Sequence, residues 1–307
     1  MTTYDWTPAS IPDLSGRTAV VTGSNGGIGF HTALELARHG AAVTLACRNL
    51  DSAAEAARRI REETGSEPST ARLDLSSLAS VQEFAEAWQG PLDLVVNNAG
   101  VMTPPRYRET QDGFELQWGT NHLGHFALVG RLLPALLEAP AARVVAVSSV
   151  AHHAGADDLL DGNPKERYSP QRAYGNSKLA NILFADELQR QAAEHGASLT
   201  AAAAHPGVSH TNLVTSPDGL GAIPGVKYVA PLFLKVLLQS AAKGAWGPLY
   251  AATAAEPGSY TGPQRVREQR GPVGPARRQR LARDPELAKR LWALSEEKTG
   301  VSYRWSA

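Results

Sequence analysis

Tyr174 and Lys178 are the residues of this chain best suited to moving a proton, because they stand four positions apart. On a helix that spacing projects both side chains from one face. An ammonium beside a phenol favours the phenolate and draws the phenol's pKa down from about 10 toward working pH. Such a tyrosine can pass a proton to or from the oxygen that a hydride transfer leaves behind. Ser149, read as ending a strand, can hydrogen-bond the same oxygen and hold it in place. Taken alone, a Tyr and a Lys at this spacing occur on many helices, so their surroundings decide whether they carry chemistry.

The surrounding chain alternates short β-branched runs with longer helical patterns. Strands are expected at 18–22, 42–46, 71–74, 92–97, 143–148 and 199–204, and helices at 28–38, 52–63, 78–89, 113–137 and 173–195. This alternation predicts an α/β fold: a doubly wound, mostly parallel sheet with helices on both faces and ligands at the carboxyl ends of the strands. Two stretches break the rhythm, 151–172 and about 208–240, and are expected as substrate loops on the ligand side. With no internal repeat and no long linker, 1–307 reads as a single domain. The Arg-, Gly-, Pro- and Gln-rich stretch 262–283 reads as a solvated or salt-bridged surface loop. Asp284-Pro285 then starts a last helix to about Glu297, with Gly300 beyond its end.

Thr22-Gly23-Ser24-Asn25-Gly26-Gly27-Ile28-Gly29 follows the first strand and opens the first helix. Glycines there permit a tight turn and let backbone N–H groups approach a pyrophosphate at the positive helix end. Gly23, Ser24, Asn25, Gly27, Ile28 and Gly29 are therefore candidate cofactor contacts. Their spacing differs from the G-x-G-x-x-G fingerprint, and a turn that merely joins strand to helix is the plainer alternative. At the end of the second strand, Cys47 stands where a carboxylate would hold a ribose 2′-hydroxyl and repel a 2′-phosphate. Arg48, followed by Asn49, supplies a guanidinium suited to that phosphate. This predicts NADP(H) in preference to NAD(H), the alternative being that Arg48 is only a surface residue. Asp74 and Leu75 close the third strand, as Asn97, Asn98, Ala99 and Gly100 close the fourth. Asp74 could accept from an adenine amino group beside the Leu75 backbone, Asn97 could brace strands, and Ala99 and Gly100 leave room for the cofactor. Each also reads as strand-end turn chemistry.

With these pieces in this order, the sequence resembles the short-chain dehydrogenase/reductase family over roughly residues 15–212. The resemblance implies a Rossmann-type domain and an oxidoreductase acting on an alcohol or carbonyl, with Asn121, Ser149, Tyr174 and Lys178 as its catalytic set. It implies that Asn121 joins a proton relay through Lys178 and water, and that Lys178 binds the nicotinamide ribose. Pro206, Gly207, Val208 and Thr211 would lie at the nicotinamide end. More narrowly, Arg48, Asn121-His122-Leu123-Gly124-His125-Phe126, Ser148–His152 and Tyr174–Asn181 look like the retinol-dehydrogenase-like branch. The 25-residue gap from Ser149 to Tyr174 (174 minus 149) fits that branch and would add a loop near the site. A second reading, a cofactor-binding sensor or scaffold without catalysis, would show a broken Asn–Ser–Tyr–Lys set; here the set is intact.

Composition narrows the partners. Lys plus Arg and Asp plus Glu both total 30, so there is no global field for nucleic acid or an anionic membrane. The one cysteine, Cys47, excludes an internal disulfide and fits a reducing, cytoplasmic setting. Met1 to Pro12 has no signal-peptide pattern. The apolar stretch 226–239 carries Lys227, Pro231 and Lys235, unlike a membrane span. No membrane anchor is therefore expected, which weakens the case for a retinoid or other membrane-borne substrate. His122, His125, His152, His153, His205 and His210 lack the carboxylate or thiolate neighbours of a metal site, and no metal is expected. Apolar Val214, Leu220, Ile223, Val226, Tyr228 and Leu232 suggest either a pocket for a hydrophobic substrate or ordinary lid packing. The family resemblance leaves room for a homodimer or homotetramer, with an exposed helix 113–137 against its twofold mate.

Overall fold

The computed structural model describes residues 5–207 and 240–305. Eight strands form one sheet: β1 (Thr18–Thr22), β2 (Ala42–Cys47), β3 (Ser69–Arg72), β4 (Leu94–Asn97), β5 (Ala142–Val147), β6 (Leu199–Ala204), β7 (Tyr260–Arg265) and β8 (Arg270–Pro275). Their order is β3-β2-β1-β4-β5-β6-β7-β8. All neighbours are parallel except the last pair, which is antiparallel. The order reverses between β1 and β4, and a sheet of this kind opens a ligand crevice at that switch.

Side-chain alternation divides the core between the two faces. Val20, Val95, Val144 and Ala146 point to one layer, with α3 (Leu78–Glu86), α4 (Gly124–Glu138), α5 (Pro170–Glu194) and α7 (Pro285–Thr299). Ala19, Val21, Val43, Leu45, Val96 and Val145 point to the other, with α1 (Gly27–Arg38), α2 (Leu50–Thr64) and α6 (Trp246–Thr253). Helix ends follow their local chemistry. Asn49 caps α2 by accepting from Ser52 N at 2.9 Å, and Asp284 caps α7 by accepting from Glu286 N and Leu287 N at 3.0 and 3.1 Å. Gly300 ends α7 at φ 65°, as its position after the periodic run predicts.

Four expectations change. The third strand ends two residues early, at Arg72, because Asp74 turns the chain: its Oδ1 accepts from Ser76 N and Ser76 Oγ at 3.0 and 2.6 Å. The helix expected over 113–137 is broken, with Leu116–Trp118 helical, Gly119–Leu123 a π turn, and α4 beginning at Gly124. Nor is α4 exposed. Gly130 sits against Tyr303 and Val301, and the Tyr303 hydroxyl donates to Phe126 O at 2.8 Å, so the C-terminal residues cover the face expected to meet a twofold mate. Finally, much of 262–283 is strand. β7 covers the open edge of β6, and β8 covers β7; Pro263 lies past the β6 pairing, which ends at Thr261, and Pro272 lies on the edge strand, so each sits where a missing N–H is tolerated. The β7–β8 turn runs through Val266, Arg267 and Glu268 at φ 53°, 52° and 62°. That strained conformation is held by the Glu268 carboxylate, which accepts from Arg277 N at 2.8 Å.

Candidate active site

Thr22, the last residue of β1, joins the Gly-rich turn to the end of β4. Its buried hydroxyl accepts from Asn98 N and Ala99 N, both at 2.9 Å, and lies 2.9 Å from His125 Nε2. The other ring nitrogen, Nδ1, lies 3.0 Å from the Asn121 carbonyl oxygen. A carbonyl can only accept, so Nδ1 carries the proton and Nε2 accepts from Thr22. Burial lowers the His125 pKa to about 4, which keeps the ring neutral. One histidine thereby links the phosphate turn, the end of β4 and the Asn121 backbone.

The turn is shaped by close approach. Gly23 has φ 63°, and a Cβ on Gly29 would lie 2.4 Å from Asn98 Nδ2 and 2.5 Å from Gly23 O. Asn98 Nδ2 uses that space to donate to Thr22 O at 2.8 Å. The Ser24 hydroxyl donates to Val21 O at 2.8 Å, and Asn25 Nδ2 donates to Ser52 Oγ at 3.0 Å, fixing the turn to α2; Ile28 is buried. At the end of β2, Cys47 is buried and its thiol pKa is raised by desolvation, while Arg48 and Asn49 are exposed. Asp74 is half-buried in its turn, and the Leu75 carbonyl packs against Gly124.

The proton-handling residues meet where β4, β5, the π turn and α5 converge. Lys178 is buried, and its Nζ donates to Val147 O at 3.0 Å and lies 5.7 Å from the Tyr174 ring centre. Ser148 Oγ donates to Lys178 O at 2.7 Å, stitching β5 to α5 beneath the ammonium. Burial brings Lys178 down to about 8. Burial also pushes Tyr174 up to about 12, partly offset by its hydrogen bond with the Ser149 hydroxyl. This differs from the expectation that Lys178 lowers the phenol: here desolvation of the phenolate is the largest influence. Protein groups alone hold Tyr174 as a neutral proton donor.

Asn121 lies in the π turn, an irregularity often found at functional sites. Its Oδ1 accepts from Val101 N at 2.7 Å, and its Nδ2 donates to Val101 O and Ser177 Oγ at 3.0 and 2.9 Å. A Cβ on Gly100 would stand 3.0 Å from Asn121 Oδ1 and 3.6 Å from Lys178 Nζ, so glycine keeps this corner open. After β6, Gly207 has φ 70° and abuts the Gln269 carbonyl, with Pro206 beside it. Val208 and Thr211 lie outside the described residues, as do His210, the 208–239 part of the second expected loop and its apolar set.

The 151–172 stretch folds as three short helical turns, Val150–Ala154, Asp157–Asp161 and Lys165–Arg167. Asn176, two residues after Tyr174, holds it: Oδ1 accepts from Ala156 N at 2.9 Å and Nδ2 donates to Asn163 Oδ1 at 2.9 Å. Asn163 in turn donates to the buried Glu115 carboxylate at 3.2 Å. Tyr168 donates to Pro104 O at 2.9 Å and meets Tyr107 edge to face, so the 103–108 segment and this stretch share one wall.

The family model for short chain dehydrogenase matches residues 17–218. Retinol dehydrogenase 13 of Homo sapiens is 40% identical over 95% of this chain and 86% of its own length. Polyprenol dehydrogenase of Mus musculus is 42% identical over 97% and 88%. The chain belongs to the short chain dehydrogenase family, in its retinol-dehydrogenase-like branch. Among solved structures, an uncharacterized protein from Mycobacterium Paratuberculosis superposes with a TM-score of 0.81 at 44% identity, covering 97% of this chain and 99% of that one. A short chain dehydrogenase from Shigella flexneri, complexed with NADP, gives 0.55 at 27% identity over 72% and 91%.

As a short chain dehydrogenase this protein is an oxidoreductase with a fold that binds a nicotinamide cofactor, and its residues fit one. Gly26 precedes α1 without a side-chain cap, and no acidic residue occupies the first turn. Those amide groups therefore face the Gly-rich turn with no carboxylate competing for them, as an anion site requires. The sequence placed Thr22, His125 and Ser148 within its motifs but gave none of them the bracing role seen here. An i, i+4 relation between Asn121 and His125 was readable, but the Thr22 partner across the sheet was not.

Proposed function

We propose that this short chain dehydrogenase interconverts an alcohol and a carbonyl on a hydrophobic small molecule, using NADP(H). The observation that carries the reading is the Tyr174 phenol hydrogen-bonded to Ser149, with Lys178 one helical turn behind it at the carboxyl edge of the sheet. Bound there, the cofactor supplies or accepts the hydride. Ser149 and Tyr174 hydrogen-bond the substrate oxygen, and Tyr174 gives its proton as that oxygen becomes a hydroxyl; oxidation reverses the transfer. Lys178, with Asn121 and water, would form the route for its reprotonation.

Gly23, Ser24, Asn25, Gly27, Ile28 and Gly29 would hold the pyrophosphate side, and Asp74, Leu75, Asn98, Ala99 and Gly100 the middle of the cofactor. Tyr174, Lys178, Pro206, Gly207, Val208 and Thr211 would hold the nicotinamide end. Arg48 and Asn49 would take the 2′-phosphate, supported by the absence of a carboxylate at Cys47 and by the solved relative complexed with NADP. The names of the retinol and polyprenol dehydrogenase relatives support a long apolar alcohol. Tyr174→Phe should lower turnover at least about 10²-fold, the usual worth of a positioned proton donor, and leave NADPH affinity within a few-fold. Near-normal turnover in that variant would sink the assignment.

A further inference from the structure

The chain beyond residue 218 lies outside the family match, yet part of it reaches back to Ser149. His152 is buried, and its Nδ1 lies 2.8 Å from the Ser149 carbonyl oxygen. Since that oxygen can only accept, Nδ1 carries the proton and Nε2 is free to accept. The donor it meets is Gln279 N at 3.4 Å. The Gln279 side-chain amide donates to the carbonyls of His152 and, at 3.1 Å, Gly155. Gly155 is in turn pressed against Gly175, the residue after Tyr174: a Cβ on either glycine would come within 2.8 Å of the other's backbone. The C-terminal segment is itself fixed to α5, where Arg278 pairs with Asp186 and donates to Gly258 O at 2.6 Å.

We propose that His152 and Gln279 are positioning residues, by which the C-terminal segment sets the Ser149 hydroxyl against the Tyr174 phenol. The proposal rests on the Ser149–Tyr174 reading above and goes beyond it, because neither residue touches the reacting atoms. The Ser149–Ala154 turn by itself holds Ser149 through two local contacts, Ala151 N to Ser149 Oγ at 3.2 Å and His152 N to Ser149 O at 3.0 Å. Gln279 adds three contacts from a distant part of the chain. The lowering of the His152 pKa to about 4 by burial keeps its Nδ1–H···O bond in one state across the working range. The groups facing His152 are His153, His205, Glu268 and Tyr260; those facing Tyr174 are Ser149, Lys178 and Tyr260.

The test is a pH–rate series for alcohol oxidation with NADP⁺ and the best substrate among retinol, geraniol and 1-decanol. Ser149 favours the phenolate, so displacing it raises the Tyr174 pKa. His152→Leu should therefore move the rising limb, on which Tyr174 loses its proton, up by about one pH unit, lower kcat about tenfold or more, and leave the NADP⁺ KM within about twofold. His152→Asn keeps a donor near the Nδ1 position and should restore the limb. Ser149→Ala should give the same displacement, and the double variant should add nothing to it. Gln279→Leu should shift the limb in the same direction and carries the test if His152→Leu does not fold. Profiles of His152→Leu and Gln279→Leu that overlay the unmodified enzyme overturn the proposal, as does a His152→Leu shift fully additive to that of Ser149→Ala. An active Tyr174→Phe enzyme would instead overturn the site reading itself.

Discussion

Lys178→Met separates what the site needs from what the fold prefers. Lys178 is 4% exposed, and burial lowers its pKa from 10.5 to about 8. At 1.36 kcal/mol per unit, the charged form carries a folding penalty of about 3 kcal/mol at neutral pH. A methionine of similar length removes that penalty and also the charged hydrogen bond to Val147 O, whose loss costs about 1.5 kcal/mol. The carbonyl stays satisfied by Asn181 Nδ2 at 3.1 Å. Cofactor-free K178M should therefore be about 1–2 kcal/mol more stable at pH 7, a rise in Tm on the order of 2–4 °C for a chain of this size, while losing turnover. The pH dependence has a definite sign. A folded-state pKa below the unfolded value means the unfolded chain binds more protons between about 8 and 10.5, so the unmodified enzyme gains stability as pH rises through that window. The advantage of K178M should be full below pH 8 and gone by about pH 10.5. Paired thermal melts across pH 6.5–10.5 make the measurement. A K178M protein no more stable than its parent at pH 7, or a difference that ignores pH, would refute the burial argument.

Arg48→Asp should exchange a 2′-phosphate partner for a carboxylate that repels it, reversing the NADPH preference in kcat/KM by about 10²-fold or more; an unchanged ratio would remove Arg48 from the cofactor site. Asn176→Ala deletes the amide that holds Ala156 and Asn163, so limited proteolysis should begin within 151–172 and substrate KM should rise more than cofactor KM. Gly29→Ala places a methyl 2.4 Å from Asn98 Nδ2, and isothermal titration should show NADPH binding weakened at least tenfold or the fold lost; wild-type affinity would mean the turn can relax.

The strand and helix alternation, the Gly-rich turn, the helix caps at Asn49 and Asp284 and the branch of the family were legible in the sequence. Each depends on residues near one another along the chain: β-branched runs, a glycine at a required positive φ, a side-chain oxygen three residues before the amide it caps. The same locality let Tyr174 and Lys178 be placed on one face of a helix. It did not reveal their charge state. Whether an ammonium lowers a phenol depends on how deeply the fold buries both groups, and here burial raises Tyr174 and lowers Lys178.

The tail shows the same division. Composition made 262–283 look like a loop, since Gly and Pro are poor strand formers. Tertiary structure made most of it β7 and β8, because the edge of β6 offered a row of unpaired backbone groups to whichever segment arrived there. By itself the sequence determined the periodic elements and the residue types that could handle a hydride acceptor and a proton. Only the assembled structure decided that His125 answers Thr22 across the sheet, that Gln279 answers His152 and that Tyr174 is held neutral, because hydrogen-bond direction and desolvation depend on neighbours in space.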